Sequence, residues 1–196
     1  MLKIAYTLNC LRTTIVYIII KVVNCVPILK QDIVGYHWYI NANETDSFFK
    51  RLNRLLLRNN CFRNLVCYRV SQKNKELGYI VRLIFSQKHD LEIYGDIGAG
   101  LSIFHGHGTI INAHHIGENF SVYQGVTIGR NPKKNQNIAT PSIGNNVTVY
   151  ANAVVAGNIV IGDNVTIGAG SVVMKDVPSN SLVVGKSCII KKGGIK

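Results

Sequence analysis

The chain has 196 residues and a net charge of +12, with 47% hydrophobic but only 16% charged residues. This balance excludes a disordered chain and favours one or two compact units. The charge is uneven, because residues 1–90 contain 14 Lys and Arg against 5 Asp and Glu. No nucleic-acid-binding motif accompanies these cations, so we expect a basic surface without a nucleic-acid partner.

The cysteines exclude two kinds of site. They are odd in number and form no C-x-x-C pair: Cys10, Cys25, Cys61, Cys67 and Cys188. This pattern is typical of reduced thiols rather than of a disulfide framework or a zinc site. We therefore expect a cytoplasmic protein with no bound metal.

Residues 8–29 are the most apolar stretch of the first half. Lys21, Asn24 and Pro27 interrupt it, so the uninterrupted apolar length falls short of the roughly 20 residues that span a membrane. No small-x-small cleavage site follows, which disfavours a signal peptide. A buried helix is the favoured interpretation, while contact with a membrane surface and a spanning helix remain alternatives.

Two amphipathic helices are predicted before residue 90. The first covers residues 46–60 and begins at Asp46 or Ser47, either of which can cap it. The second covers residues 75–87. Its residues expected to face inward are Leu77, Ile80, Val81, Ile84 and Phe85. Residues 1–90 are thus predicted to form a short α-helical N-terminal region.

A six-residue repeat dominates the second half. One aliphatic series is Ile143, Val149, Val155, Ile161, Ile167 and Val173. This period fits neither an α-helix nor a flat strand, but it fits a chain that turns a corner every six residues and stacks coil on coil. Gly and Asn at residues 144–146, 157–158 and 162–164 suit such corners. The glycosylation patterns at Asn146 and Asn164 are therefore interpreted as plain corners.

The repeat loses its phase twice. Ile103 and Ile116 are thirteen residues apart, so one extra residue, a bulge or loosened corner, lies within residues 105–115. Residues 130–141 form a polar, basic insertion, and insertions of this kind project from an edge of a solenoid, where they can build a site. We predict a mainly β protein whose β-helix of about five coils covers residues 91–187, with a tail over residues 188–196.

The stretch PSIGNNVTVYANAVVAGNIVIGDNVTIGAGSVVMKDVPSNSLVVG, residues 141–185, resembles the hexapeptide-repeat acyltransferases. It is most similar to serine acetyltransferases and to the O-acetyltransferases of capsule and exopolysaccharide synthesis. The resemblance implies a left-handed parallel β-helix, assembly as a homotrimer and acetyl transfer from acetyl-CoA to a hydroxyl.

Residues 97–129 resemble the active-site stretch of that family, including an intact QGVTIG at residues 124–129. His105 matches the catalytic histidine, and a neutral imidazole can take the proton of the attacking hydroxyl. Glu92 matches the carboxylate that orients this histidine, although the intervening turn is about two residues shorter here. His107, His114 and His115 remain alternatives for direct roles.

Two departures from serine acetyltransferases concern the acceptor. Phe104 replaces an aspartate that helps to hold the amino acid, and Thr140 replaces the histidine of an Arg-His-Pro. An ammonium group needs a charge partner when it is desolvated, whereas a sugar hydroxyl does not. We therefore expect a sugar or polysaccharide intermediate as the acceptor, contacted by Phe104, His107, Gln124 and Thr140, with serine as the alternative.

On the donor side, the resemblance implies that acetyl-CoA lies along small residues in the groove between neighbouring β-helices. The matching residues are Gly129, Ala151, Ala169 and Gly170, with Lys175 or Lys186 for the phosphates. Plain corners without a ligand are the alternative for these positions.

Two other classes of protein stay open: a zinc-dependent β-helix lyase, although its His-x4-His spacing is missing, and a non-catalytic solenoid.

Overall fold

The computed structural model describes residues 2–40, 46–131 and 140–185. Within these ranges, six helices precede twelve strands. The helices are α1 (Leu2–Val22), α2 (Val26–Val34), α3 (His37–Ile40), α4 (Phe48–Arg58), α5 (Asn60–Lys73) and α6 (Lys75–Ile84). The first six strands are β1 (Leu91–Ile97), β2 (Ser102–Ile103), β3 (Thr109–Ile116), β4 (Ser121–Val122), β5 (Thr127–Gly129) and β6 (Ser142–Ile143). The last six are β7 (Thr148–Val149), β8 (Val154–Ala156), β9 (Val160–Ile161), β10 (Thr166–Ile167), β11 (Val172–Val173) and β12 (Leu182–Val183).

The apolar N-terminal stretch forms two helices rather than one. The chain bends by 120° between Tyr6–Val22 and Val26–Val34, and Asn24 in the bend has a φ of 55°. One side of α1 is buried while its other apolar side is exposed, so the prediction of a buried helix holds for one side only. Among the described residues, no single helix has both the length and the apolarity of a membrane span, and the bent pair reaches them only jointly.

Both predicted amphipathic helices are present, as α4 and α6. The Ser47 side chain accepts a hydrogen bond from the Lys50 N–H and so caps α4. The expectation that Ile80 faces inward is wrong, because its side chain is 40% exposed. The buried residues of α6 are Gly78 and Val81, and this face turns Ile80 outward.

Parallel strands build a β-helix with three faces. The first face contains the N-terminal halves of β1 and β3, followed by β5, β8 and β11. The second face contains the C-terminal halves of β1 and β3, followed by β6 and β9. The third face contains β2, β4, β7, β10 and β12. Val154 and its partner Val172 are eighteen residues apart, so one coil consists of three hexapeptides. The predicted parallel β-helix is confirmed.

The register also confirms both breaks in the repeat. Ile103 and Ile111 are eight residues apart, whereas their partners Val122 and Ile128 are six apart, so the added length lies at the corner between β2 and β3. Thr127 and its partner Val154 are 27 residues apart, which is nine more than in a regular coil. The insertion accounts for these nine residues, although its residues 132–139 lie outside the described chain, as do residues 186–196.

The corners behave as their Gly and Asn content predicts. At the edge between the second and third faces, four asparagines adopt a positive φ: Asn119, Asn146, Asn164 and Asn180. Their side-chain amides hydrogen-bond from coil to coil at 3.0 Å. The amides of Asn146 and Asn164 therefore stabilise the stack, as the corner interpretation expects.

A buried ion pair joins the helices to the open end of the β-helix. The first coil has no preceding coil to pair with its backbone, so its N–H and C=O groups need other partners. Asp32 of α2 accepts from the Gly100 and Leu101 N–H groups at 2.8 and 2.9 Å. Arg69 of α5 donates to the Ile97 and Gly98 carbonyls and pairs with Asp32 at 2.9 Å. Burial raises the pKa of the Asp32 carboxyl, and the guanidinium opposes this rise.

Asp32→Asn should destabilise the protein strongly. The substitution leaves Arg69, which is only 4% exposed, as a buried charge without its partner. Loss of one member of such a pair costs about 3–5 kcal/mol. Urea unfolding followed by circular dichroism measures the change, with Glu118→Gln at an exposed corner as the matched control. Equal stability of the two variants would contradict the role of Asp32.

Candidate active site

One edge of the β-helix collects most of the predicted site residues. At this edge, which we call the active edge, the chain passes from the third face to the first face. Phe104 and His105 follow β2, and Gln124 occupies the corresponding place one coil later. Ala151 and Ala169 continue the column, with Gly170 donating its N–H to the Ala151 carbonyl at 2.9 Å.

The backbone of His105 is strained. Its φ is 64°, a left-handed conformation that is costly for a residue with a Cβ atom. Buried Cys61 of α5 donates its thiol hydrogen to the His105 carbonyl at 3.4 Å, and burial raises the pKa of this thiol to about 11, so it stays protonated. The His105 side chain itself is exposed. Strain held by surrounding structure is a common feature of functional residues.

His105 lies at a cleft of about 300 Å³ between the helical region and the first coil. The cleft is lined by Tyr39, Arg58, Asn59, Asn60, Cys61, Lys88, Ile103, Phe104, His105 and His107. Within the described part of the chain, this lining contains two cations, Arg58 and Lys88, and no carboxylate. The cleft therefore presents positive charge and aromatic surface beside the histidine.

Phe104 begins a stack of aromatic rings along the active edge. Its ring centroid lies 4.6 Å from that of Tyr123, with 14° between the ring planes. Tyr123 stacks in turn on Tyr150 at 4.9 Å. Because the rings support each other, Phe104 offers a fixed apolar surface at the start of the active edge.

Glu92 does not meet His105 in this structure. It lies on β1 opposite Ile110, and since Leu91 is buried, the alternation of the strand turns Glu92 outward onto the first face. There it lines a separate pocket against α5 and α6. No hydrogen bond or ion pair links Glu92 to His105 in the part of the chain that the structure describes, so the expected pairing is not formed.

A different carboxylate lies beside the cleft, and sequence reasoning missed it. Asp90 accepts hydrogen bonds from Lys88 Nζ at 2.8 Å and from the Gly108 N–H at 3.2 Å. The hydrogen bond from Lys88 lowers the pKa of Asp90 to about 2. The only signal in the sequence was a pair of opposite charges, Lys88 and Asp90, at the predicted boundary between helices and β-helix.

Lys88 also determines which ring nitrogen of His107 can accept a hydrogen bond. Its ammonium group lies 2.7 Å from His107 Nδ1, closer than the 3.5 Å that separates this nitrogen from Asp90 Oδ2. The ammonium can only donate, so Nδ1 accepts and the ring proton sits on Nε2. This tautomer makes Nε2 a donor. The arrangement favours His105 over His107 as the proton acceptor.

The other two clustered histidines lie away from the cleft. His115 Nδ1 pairs with Asp96 Oδ2 at 2.8 Å on the second face, where both side chains are exposed. His114 donates its backbone N–H to the Pro141 carbonyl, beside Thr140. Among the described residues, no group of three or more His, Cys, Asp or Glu side chains is placed to hold a metal ion.

Two further donor-site candidates lie at the opposite edge of the first face. Gly129 ends β5 beside Ala156, and Lys175 follows β11. Among the atoms of the described residues, none lies within 4 Å of the place that a Cβ atom at Gly129 would take. The donor-site candidates therefore flank the first face on two sides, while Lys186 lies outside the described residues.

His105→Gly should be more stable than His105→Ala by about 1 kcal/mol. Glycine adopts a positive φ without the steric cost that any Cβ atom brings, and this cost is about 1–2 kcal/mol. Thermal and urea unfolding of the two variants measure the difference. Equal stabilities would show that position 105 is not under backbone strain.

Comparisons with known proteins agree with this fold. Residues 140–175 match the family described as Bacterial transferase hexapeptide (six repeats). The chain is 42% identical over 104 residues to the colanic acid biosynthesis acetyltransferase WcaB of Escherichia coli K12. The match covers 53% of this chain and 63% of that protein. It is 42% identical over 144 residues to serine acetyltransferase of Synechococcus elongatus, which covers 69% of this chain and 59% of that enzyme.

Solved structures of serine acetyltransferases share the architecture. The enzyme of Neisseria gonorrhoeae has a TM-score of 0.63 and 30% identity over 82% of this chain and 64% of that one. The soybean enzyme complexed with serine has a TM-score of 0.64 and 27% identity over 85% of this chain and 70% of that one. The chain spans about three fifths of the curated relatives it matches. Residues 140–175 therefore carry the hexapeptide repeat, and the chain is similar to serine acetyltransferases and to a WcaB acetyltransferase, as the resemblance in its sequence implied.

Proposed function

We propose that this protein is an acetyl-CoA-dependent O-acetyltransferase in which His105 is the general base. The observation that carries the proposal is the position of His105: a strained, exposed histidine at a cleft, at the head of a column that continues through Gln124 to the small residues Ala151 and Ala169. Its relatives are named acetyltransferases, which supports the reaction class.

The chemistry needs one proton acceptor. The acceptor hydroxyl gives its proton to the His105 imidazole as its oxygen attacks the carbonyl carbon of the acetyl thioester. The tetrahedral intermediate then collapses, the C–S bond breaks, and the imidazolium returns the proton to the CoA sulfur. General-base help of this kind gives roughly 10²–10⁴-fold in rate.

The donor is proposed to lie along the first face. Ala151, Ala169 and Gly170 leave room at the active edge, and Gly129 leaves room at the other edge of that face. Lys175 and Lys186 are the candidates for the CoA phosphates. A homotrimer, which the resemblance implies, would close this groove with a neighbouring chain.

The acceptor is proposed to be a sugar or polysaccharide intermediate. The cleft lining contains no carboxylate among the described residues, and Asp90 beside it is already paired with Lys88, so the ammonium group of an amino acid would lack a charge partner of its own. Phe104, supported by Tyr123, offers a surface on which the apolar face of a sugar can pack. The name of one relative, which refers to colanic acid biosynthesis, agrees with a glycan acceptor.

Serine remains a second candidate acceptor. Several relatives are named serine acetyltransferases, and solved neighbours of similar fold contain serine. A panel of serine, hexoses, nucleotide sugars and oligosaccharides, read as CoA thiol released from acetyl-CoA, separates the two. Turnover on serine alone would overturn the glycan assignment, whereas acetyl-CoA binding without turnover on any acceptor would favour a non-catalytic solenoid.

His105→Asn should lower kcat by at least ~10²-fold. Asparagine tolerates the left-handed backbone at this position, so the variant removes the imidazole without adding strain. Release of CoA thiol measures kcat, and His37→Asn, an exposed histidine of α3 that does not line the cleft, is the matched control. Full activity of the His105 variant would remove this histidine as the base.

Gly129→Leu should weaken acetyl-CoA binding by about tenfold or more while leaving the fold intact. The leucine side chain enters open space rather than the core, but it would occupy the proposed donor groove. Isothermal titration with acetyl-CoA measures the affinity, and Glu118→Leu at the edge between the second and third faces is the control. Unchanged affinity in the glycine variant would place the donor elsewhere.

A further inference from the structure

Helix α1 has a second apolar side that nothing in the described chain covers. Its residues are spaced by three and four positions: Leu8, Leu11, Ile15, Ile18 and Val22. They are 51–72% exposed. At 100° per residue they share one side of the helix, nearly opposite the side through which Val16 and Ile20 reach the core. We call these five residues the α1 stripe.

The helix packed beside α1, α6, also exposes apolar side chains. Arg12 of α1 donates a hydrogen bond to the Ile84 carbonyl at the end of α6, and its guanidinium lies over the Phe85 ring. These contacts hold the two helices together. On α6 the exposed apolar side chains are Tyr79, Ile80 and Leu83. Clustered apolar exposure of this kind marks an interaction surface, whereas single exposed residues do not.

Charge indicates what covers the stripe. The six helices contain 13 Lys and Arg but only two carboxylates, Asp32 and Glu76, and Asp32 is buried in its ion pair. On α1 itself, Arg12 and Lys21 lie on opposite flanks of the stripe, and the helix contains no acidic residue. A second copy with the same positive charge would be repelled, whereas an anionic surface would be attracted.

We propose that the α1 stripe docks this protein on the surface of an anionic lipid bilayer. The apolar side chains enter the boundary between headgroups and acyl chains, and the flanking cations contact lipid phosphates. The helix lies in the plane of the surface, because its opposite side stays packed in the core of the protein. This docking is independent of the proposed enzymatic activity, and it is tested without substrates.

The experiment is vesicle co-sedimentation of the full chain. Vesicles of phosphatidylcholine with phosphatidylglycerol are compared with vesicles of phosphatidylcholine alone, at low and at high salt. We expect binding to the anionic vesicles, weakened by salt because headgroup attraction is screened. The double variant Leu11→Gln with Ile18→Gln should bind at least ~10-fold more weakly, since it removes two apolar contacts with the bilayer. Both positions are more than half exposed, so the fold should survive, which circular dichroism checks.

The matched control is Leu182→Gln with Val184→Gln, whose side chains are 67% and 70% exposed at the far end of the β-helix. Vesicle binding of this control should equal that of the unmodified chain.

The proposal is overturned if the unmodified chain does not bind anionic vesicles, or if the α1 variant binds them as strongly as the unmodified chain. Self-association that the α1 variant abolishes, without any vesicle binding, would assign the stripe to a second copy. Retention on RNA in place of vesicles would also overturn the lipid surface.

Discussion

The buried ion pair between Asp32 and Arg69 is the interaction on which the arrangement of the two halves depends. A β-helix leaves the backbone of its first coil without a partner, and this pair supplies donors and acceptors to four groups of that coil. Tyr36 and Tyr68 add one hydrogen bond each to Ile103 and Gly95. The helices are therefore the cap of the solenoid, and the cap forms one wall of the cleft.

The site lies where this cap meets an irregular part of the repeat. Cys61 of the cap holds the His105 carbonyl, and the chain around His105 has a run of positive φ angles at residues 105, 106 and 108. One coil later the same corner has the regular six-residue spacing, from Val122 to Ile128. Stacking then converts distance along the chain into closeness in space, because Gln124, Ala151 and Ala169 recur at the same edge at roughly 4.8 Å per coil. A reactive group at the end of a column that leads to the small residues Ala151 and Ala169 suits a long, thin acetyl donor such as the proposed acetyl-CoA.

Electrostatics links the cleft with the surface of the cap. Lys88 holds Asp90 and sets the tautomer of His107, and Arg58 adds a second cation to the lining. The helices around them carry almost no exposed carboxylate. The cleft and the helical region therefore both have more cations than exposed carboxylates, which suits the proposed lipid surface. The two proposals nevertheless depend on different residues and fail independently.

The sequence by itself determined the features that repeat. A six-residue period dictates where a chain turns and which side chains point inward, so the coils, the asparagine corners, the loosened corner near His105 and the place of the insertion could all be predicted. The match around His105 identified the candidate base for the same reason, since it is carried by consecutive residues. Only the tertiary structure decided which side chains meet. Glu92 faces outward because of the alternation along β1, whereas the place of Asp90 beside the cleft and the exposure of Ile80 depend on how the helices dock on the first coil. Docking joins residues distant in sequence, and no periodicity records it.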